Sequence, residues 1–169
     1  MSTIYVIGSL RNPRITEVGN ALRAAGYDTF EDWHAGGKEA DDEWQRYEKE
    51  RGRGYKEALA GYHAQNIFHF DLHHLNRSHA AVLVMPAGRS AHLELGYIIG
   101  QGKPGYVLFD EEPERFDVMY NFATEVCFSV EELLSALGAA KPSITVGYDD
   151  RFVKQQIREY RRAPWNADI

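Results

Sequence analysis

The segment VLVMPAGRSAHLELGYIIGQGKP, residues 82–104, decides the fold of this chain. An apolar run ends at residue 85, a break of Pro-Ala-Gly-Arg follows, and a second apolar run contains a single carboxylate, Glu94. A short apolar run that ends in a turn is typical of a buried strand, and a longer one that closes on Gly-Lys-Pro is typical of a helix. The segment therefore predicts a strand, a turn and a helix with an acidic residue near its start.

The same pattern recurs along the chain, with short apolar runs separated by stretches of helical spacing. Strands that are apolar throughout and alternate with helices indicate a parallel sheet covered on both faces. We therefore expect a single α/β domain, Rossmann-like or flavodoxin-like, with about five parallel strands. The predicted strands are 3–7, 27–30, 80–85, 105–109 and 125–128, and the predicted helices are 15–25, 55–75, 91–101 and 130–137, the last two capped by Ser90 and Ser129.

Three parts of the chain differ in composition. Residues 1–140 are the predicted α/β domain. Within it, 36–54 is a charged, glycine-bounded insertion, which is interpreted as a solvated helix and loop or as a lid over the site. Residues 141–169 are a C-terminal extension with a strand-like and a helix-like stretch, expected to dock on the domain or on a neighbouring subunit.

Composition and charge exclude several classes of protein. The 169 residues are 44% hydrophobic, which suits one domain, and the net charge of -6 argues against a nucleic-acid polymer as partner. Cys127 is the only cysteine, no signal-peptide pattern is present, and no apolar run approaches the ~18 residues of a membrane span. We expect a reduced, soluble, cytoplasmic protein that binds a small molecule and no membrane.

Two carboxylates stand in apolar surroundings. Glu94 lies near the start of an apolar helix, and Asp71 interrupts the apolar stripe of the helix predicted for 55–75. Glu94 can be read as an acid that only complements the helix dipole. The alternative is a functional carboxylate, because the apolar neighbours leave it little exposed surface and buried unpaired carboxylates are common at functional sites.

The motifs IYVIGSLRNP, FDLHHLNRSHAAVLVMP and GRSAHLELGYIIGQGKP carry a family resemblance over about residues 3–137. They resemble the nucleoside 2-deoxyribosyltransferase family and its relatives, the 2'-deoxynucleoside 5'-monophosphate N-glycosidases. The resemblance implies cleavage or exchange of an N-glycosidic bond, with Glu94 as the nucleophile at C1'. It also implies that Asp71 protonates the departing base and that the Tyr5 phenol hydrogen-bonds the nucleophile, although Tyr5 can equally be an ordinary strand residue.

Three further positions can contact the sugar or base. Gly8 and Ser9 would let the backbone approach the sugar closely, or they only form a tight turn. Trp33 can wall the base by stacking, and core or interface packing is an equal alternative.

The resemblance also bears on what occupies the 5' end of the substrate. In the monophosphate glycosidases, Arg and Ser side chains hold a 5'-phosphate, which implies this role for Arg11, Arg89 and Ser90, beside Gly88 in the loop before the catalytic helix. The free-nucleoside transferases tend to have an acidic residue in that loop, and this chain has none there. Free nucleoside and monophosphate both stay open as substrates.

In the transferases an Asn and a Met of a neighbouring subunit complete the site. Met119 matches that Met, and Asp117 stands near the Asn position. The resemblance thus implies a homodimer or a higher homo-oligomer with shared sites. It implies no cofactor and no metal, although His69 and His73 have the four-residue spacing of helical metal ligands.

Two other functions remain open at this point. One is a catalytically silent nucleotide-binding module, since a fold alone never establishes an activity. The other is an NAD glycohydrolase, because related α/β domains cut a nicotinamide glycosidic bond with a glutamate. The base that is preferred, and whether water or a second base accepts the sugar, do not follow from the residues.

Overall fold

Five parallel strands form one sheet in the order β2-β1-β3-β4-β5. The computed structural model describes residues 2–139. The predicted flavodoxin-like α/β fold is confirmed, and each strand lies within one residue of its predicted ends. The strands are β1 Thr3–Ile7, β2 Asp28–Phe30, β3 Ala80–Val84, β4 Gly105–Leu108 and β5 Glu125–Cys127.

The helices connect the strands and cover the sheet. Residues 2–139 form six α-helices and two 3-10 turns, which we call the first and second 3-10 turns. The helices are α1 Arg14–Ala24, α2 Ala40–Glu50, α3 Tyr55–Leu59, α4 Tyr62–Arg77, α5 Arg89–Gly100 and α6 Val130–Gly138, and the 3-10 turns are Asp32–Gly36 and Val118–Phe122.

The two faces of the sheet are covered by different helices. Val6 and Val82 are paired in register and belong to the core layer that contains α1 and α6. Tyr5 and Leu83 point to the opposite face, into the layer that contains α4 and α5. Successive strand residues alternate between faces, so the register puts Tyr5 on the side of the sheet that carries Asp71 and Glu94.

Two predicted helix boundaries are wrong. Ser90 does not cap α5, because Gly88 takes the extended N-cap conformation and the helix begins at Arg89. The predicted helix 55–75 is two helices, broken before Gly61, the N-cap of α4. The Arg53 guanidinium occupies the space that a side chain at Gly61 would need, so packing of the preceding segment sets this break. Ser129 caps α6 as predicted, accepting from the Glu132 N–H at 3.1 Å.

The charged insertion is structured. Its middle forms α2, most of whose residues are exposed. Glu48 departs from that pattern, since it is buried and ion-paired with Arg53 at 3.2 Å. No helix in residues 2–139 has the length and apolar character to cross a bilayer. The C-terminal extension predicted to dock, 141–169, lies outside the described residues.

Candidate active site

A cavity of about 700 Å³ lies at the carboxyl ends of β1 and β3. These neighbouring strands are where the strand order reverses, which is where open α/β sheets bind ligands. It brings together eight predicted site residues, namely Gly8, Ser9, Arg11, Trp33, Asp71, Gly88, Ser90 and Glu94.

Packing of α4 and α5 aims two carboxylates at this cavity. On α5, Ala91, Leu95 and Ile98 are buried against the sheet. Glu94 lies beside that buried stripe, so its side chain is directed along the sheet edge and not into bulk water. Asp71 reaches the same cavity from α4. Residues 23 positions apart in sequence therefore share one wall of the site.

The environment favours the protonated form of both carboxyl groups. Burial raises the pKa of Glu94 from 4.5 to about 7, and the nearby Asp71 charge adds to the effect. Burial likewise raises the pKa of Asp71 from 3.8 to about 6, although its interaction with Tyr5 opposes this. Between about pH 6 and 7 the pair therefore holds a single proton, which lies mostly on Glu94 because the pKa of Asp71 is the lower one.

Tyr5 lies beneath the carboxylate pair. The residue is fully buried, and its pKa is raised by burial and by the charges of Glu94 and Asp71. The hydroxyl is close enough to Asp71 for the two groups to affect each other's pKa, but the geometry is not that of a formed hydrogen bond. The Tyr5 hydroxyl and Oδ1 of Asp71 are consequently buried without a hydrogen-bond partner in residues 2–139. Such unsatisfied groups are uncommon in cores and are available to a ligand.

A buried asparagine joins the two turns that form the cavity floor. Asn12 donates its side-chain N–H groups to the carbonyls of Val84 and Pro86, each at 3.3 Å. Its Oδ1 accepts from the Arg14 N–H at 3.0 Å. Asn12 is 4% exposed, so these bonds are shielded from water and hold the turn after β1 against the end of β3.

The two glycines of these turns have different reasons to be glycine. A Cβ at Gly8 would collide with Ile15 of α1, so Gly8 is required by packing of the turn itself. A Cβ at Gly88 would meet nothing within 4 Å, although Gly88 lines the cavity. Packing within residues 2–139 therefore explains Gly8 and leaves the open space at Gly88 to a ligand.

Trp33 is fixed at the rim of the cavity. Its indole N–H donates to the Val6 carbonyl at 2.9 Å, which ties the first 3-10 turn to β1. Both interpretations of Trp33 are compatible with its position, since it packs against the core and also lines the cavity.

Apart from Asp71, the residues that α2 and α4 supply to the wall were not predicted from the sequence. Trp44 of α2 is half-buried in the cavity wall, and its indole N–H has no hydrogen-bond partner in residues 2–139. A tryptophan inside an otherwise charged insertion was the signal that this helix has an inward face. The other missed lining residues are Leu10, Gly36, Lys38, Ala40, Asp41, Leu59, His63, Ala64, Ile67 and Phe68.

A smaller cavity of about 360 Å³ adjoins the first one. Ser9, Arg11 and Gly88 line both cavities, so they separate the carboxylate end from the smaller cleft. That cleft also contains Arg14, which is paired with Asp110. Each of the two guanidiniums at this end of the site is paired with a carboxylate, Arg11 with Asp42 and Arg14 with Asp110.

Four predicted site residues do not line these two cavities, and one of them is the buried Tyr5 described above. Arg89 is exposed at the first position of α5. Asp117 and Met119 line a different, apolar cavity of about 710 Å³ between α5 and the second 3-10 turn. There Asp117 caps the turn by accepting from the Met119 N–H at 2.9 Å. The predicted approach of Asp117 and Met119 to the carboxylates of another subunit stays a prediction.

The histidine pair predicted as a possible metal site lies on the exposed surface of α4. His69 and His73 are both exposed, and neither lines the carboxylate cavity. Within residues 2–139, no three His, Cys, Asp or Glu side chains are grouped so that they could hold a metal ion.

The fold and the site together define an α/β domain with a desolvated carboxylate pair at its strand-order switch point. No protein-family model matches the chain, and no curated protein is significantly similar in sequence. The structure is similar to that of a 2-deoxyribosyltransferase from the psychrotolerant bacterium Bacillus psychrosaccharolyticus, with a TM-score of 0.54 and 15% identity. The match covers 79% of this chain and 90% of that one. At this identity the likeness shows a shared fold, and the chemistry rests on the site.

Proposed function

We propose that the protein cleaves or exchanges the N-glycosidic bond of a 2'-deoxynucleoside or of its 5'-monophosphate. The observation that carries this proposal is that Glu94 and Asp71 line one cavity, and that the buried Tyr5 hydroxyl lies close enough to both for their charges to raise its pKa. The fold shared with a 2-deoxyribosyltransferase supports it, as do the family motifs that contain these three residues.

In the first step the Glu94 carboxylate attacks C1' of the sugar while the bond from C1' to the base nitrogen breaks. The bonding electron pair leaves with the base, which Asp71 protonates, and an ester between the sugar and Glu94 remains. A second base or water then attacks C1' and releases Glu94, and Asp71 takes up the proton of the attacking group. Two carboxyl groups divide the labour of glycoside hydrolysis in a comparable way.

Tyr5 acts on the carboxylates in this proposal. With its pKa raised it stays protonated throughout the working range, so it can only donate. Its unpaired hydroxyl can hydrogen-bond the ionised nucleophile and orient it towards C1'.

The carboxylate pair also argues against a catalytically silent nucleotide-binding module. Holding two acids in a desolvated site destabilises their ionised forms, and recognition of a neutral sugar does not require it. Hydrolysis of a monophosphate remains the second candidate, because the Arg11 and Ser9 side chains line both the carboxylate cavity and the smaller cleft beside it.

The proposal is tested with purified protein and the common 2'-deoxynucleosides, their 5'-monophosphates, the ribonucleosides and NAD. Each is incubated with and without a free acceptor base, and the released or exchanged base is measured by chromatography. Base exchange identifies a transferase, and release without exchange identifies a hydrolase. Cleavage of NAD alone, or of nothing, contradicts the proposal.

We expect a bell-shaped dependence of kcat/KM on pH, with its maximum between about 6 and 7. The active form has Glu94 ionised and Asp71 protonated; because the pKa of Asp71 is the lower of the two, this is the minor singly protonated form of the pair, and its population is largest between about pH 6 and 7. The measured apparent pKa values belong to the coupled pair. Initial rates from pH 4 to 9 provide the test. A maximum near pH 4, where two unperturbed carboxyl groups would place it, contradicts the assignment.

We further expect a homo-oligomer in which subunits share sites. Large apolar side chains on α5 and around the second 3-10 turn are exposed, including Leu93 at 76% and Val118 at 73%. Phe116, Met119 and Phe122 extend this surface. Monomeric proteins seldom expose contiguous apolar patches of this kind, and self-association through one patch produces a symmetric dimer.

Light scattering measures the mass, and co-expression of two inactive variants tests sharing of the site. A Glu94→Ala subunit together with a Met119→Asp subunit should regain partial activity, because some hybrid sites contain both intact residues. A monomeric mass with full activity contradicts the expectation.

A further inference from the structure

An ion pair connects the turn after β1 to the charged insertion. Nη2 of Arg11 lies 2.6 Å from Oδ2 of Asp42, which is in the first turn of α2. The two side chains are 60% and 58% exposed. Arg11 lines both cavities, whereas Asp42 lines neither. Asp42 can therefore influence a ligand through the position and availability of the Arg11 guanidinium.

The other end of α2 is attached independently. Glu48 is buried and ion-paired with Arg53 at 3.2 Å, and the Arg53 guanidinium also donates to the Glu57 carbonyl at 2.7 Å. Half-buried Trp44 lies between the two attachments and packs in the cavity wall. The helix is thus held by a shielded contact at its end and by an exposed one at its start. Breaking the exposed contact leaves the shielded one in place.

We propose that Asp42 is a specificity-determining residue, which competes with the 5'-phosphate of a substrate for Arg11. The inference rests on the proposed function. An exposed ion pair contributes little stability, because water and salt screen it. A phosphate has about twice the charge of a carboxylate and accepts two parallel hydrogen bonds from a guanidinium, so it can displace Asp42. A 5'-hydroxyl cannot, and a free nucleoside therefore binds with the pair intact.

The positions of the neighbouring groups agree with this exchange. Ser9, which lines both cavities with Arg11, accepts a hydrogen bond from the Arg11 N–H through its Oγ at 3.2 Å. Ser90 lies at the same cavity, at the second position of α5. The 5'-phosphate of a substrate bound at this end of the cavity would contact the Arg11 guanidinium and the hydroxyl groups of Ser9 and Ser90. Asp42 is the acidic side chain that is paired with this guanidinium in the absence of the phosphate. Removing Asp42 should therefore favour the monophosphate selectively.

The test compares kcat/KM for the best deoxynucleoside of the substrate panel with kcat/KM for its own 5'-monophosphate. Asp42→Asn should raise the ratio of monophosphate to nucleoside by about fivefold, the upper range for release of an exposed pair. Glu43→Gln is the matched control, because it removes the same charge one residue away. Glu43 lines neither cavity and forms no ion pair within residues 2–139. It should leave the ratio within about twofold.

A double variant separates the pairwise effect from a change in fold. Arg11→Gln should lower the ratio of kcat/KM for the monophosphate to kcat/KM for the nucleoside. Adding Asp42→Asn to Arg11→Gln should then leave this ratio unchanged. An unchanged ratio in Asp42→Asn, or an equal rise in Glu43→Gln, overturns the inference while the proposed function stands. If the wild type turns over no substrate, the proposed function fails instead. Calorimetric affinities of thymidine and its 5'-monophosphate for wild type and Asp42→Asn then decide the inference by the same ratio.

Discussion

Replacing Glu94 with alanine should reduce turnover by about three orders of magnitude or more. In the proposed mechanism the covalent intermediate requires this carboxylate, and no other acidic side chain except Asp71 and Asp41 lines the cavity in residues 2–139. Single-turnover assays with the best substrate of the panel measure the loss. Glu17→Ala, on an exposed position of α1 across the sheet, is the control and should keep full activity.

The folded state of a Glu94 variant can be checked by its stability as a function of pH. The pKa of Glu94 is higher in the folded protein than in an unfolded chain, so folding is weakened as the pH rises through about 7. Below about pH 4.5 the group is protonated in both states and this penalty is absent. At pH 8, Glu94→Gln should therefore be more stable than wild type by up to about 3 kcal/mol, and it should unfold at a higher temperature. At pH 4 the two proteins should unfold at the same temperature. More than about a tenth of wild-type turnover in a folded variant would contradict the nucleophile assignment.

Replacing Asp71 with asparagine should reduce turnover by about two to four orders of magnitude on poor leaving groups. Asparagine can still hydrogen-bond the base but cannot protonate it. The loss should therefore shrink on substrates whose base leaves easily, and a series of modified bases measures this trend. The Asp71 charge also contributes to the raised pKa of Glu94, so this pKa should be lower in Asp71→Asn. As the pH is lowered, the rate of the variant should therefore begin to fall at a lower pH than that of wild type.

Phe68→Leu is the matched control for Asp71, since it changes an apolar residue of the same helix that lines the same cavity. It should show similar losses on all bases. Equal losses in Asp71→Asn on good and poor leaving groups would leave Asp71 with a positioning role and exclude the general acid.

The strands were predictable because a strand buried on both faces is apolar throughout. The run at 80–85 has no polar residue that could face water, and the register of β3 between β1 and β4 buries all five residues of Ala80–Val84. The helices next to them were less predictable at their ends. Ser90 is a good capping residue by type, but the chain leaves β3 in a direction that puts Gly88 at the cap.

The break between α3 and α4 depended on a contact that no local pattern contains. Gly61 ends one apolar stripe and begins another, and helical spacing alone allows the two to be continuous. The Arg53 guanidinium, bound to Glu48 and to the Glu57 carbonyl, fills the space beside Gly61. A helix boundary that depends on a side chain from another segment cannot be predicted from hydrophobic periodicity.

Two of the three candidate residues stood out in the sequence because each violates its local pattern. Glu94 and Asp71 are carboxylates on apolar stripes, whereas Tyr5 is an ordinary strand residue by type and was indicated only by the family resemblance. Such violations identify candidate residues one at a time. They do not say which of them meet, because residues 5, 71 and 94 come from three elements whose distances are set by packing.

Tertiary structure decided the rest of the site for the same reason. A charged segment is predicted to be solvated on average, but which of its residues are buried depends on how it packs against the rest of the domain. In α2, Trp44 faces the cavity and Asp42 forms an ion pair with Arg11. Local sequence thus determined the strands, their order of alternation with helices and the two candidate carboxylates, since these follow from short-range periodicity. The raised pKa values, the wall formed by α2 and the pairing of Arg11 arise from long-range contacts, whose free energies depend on burial and distance in the folded chain.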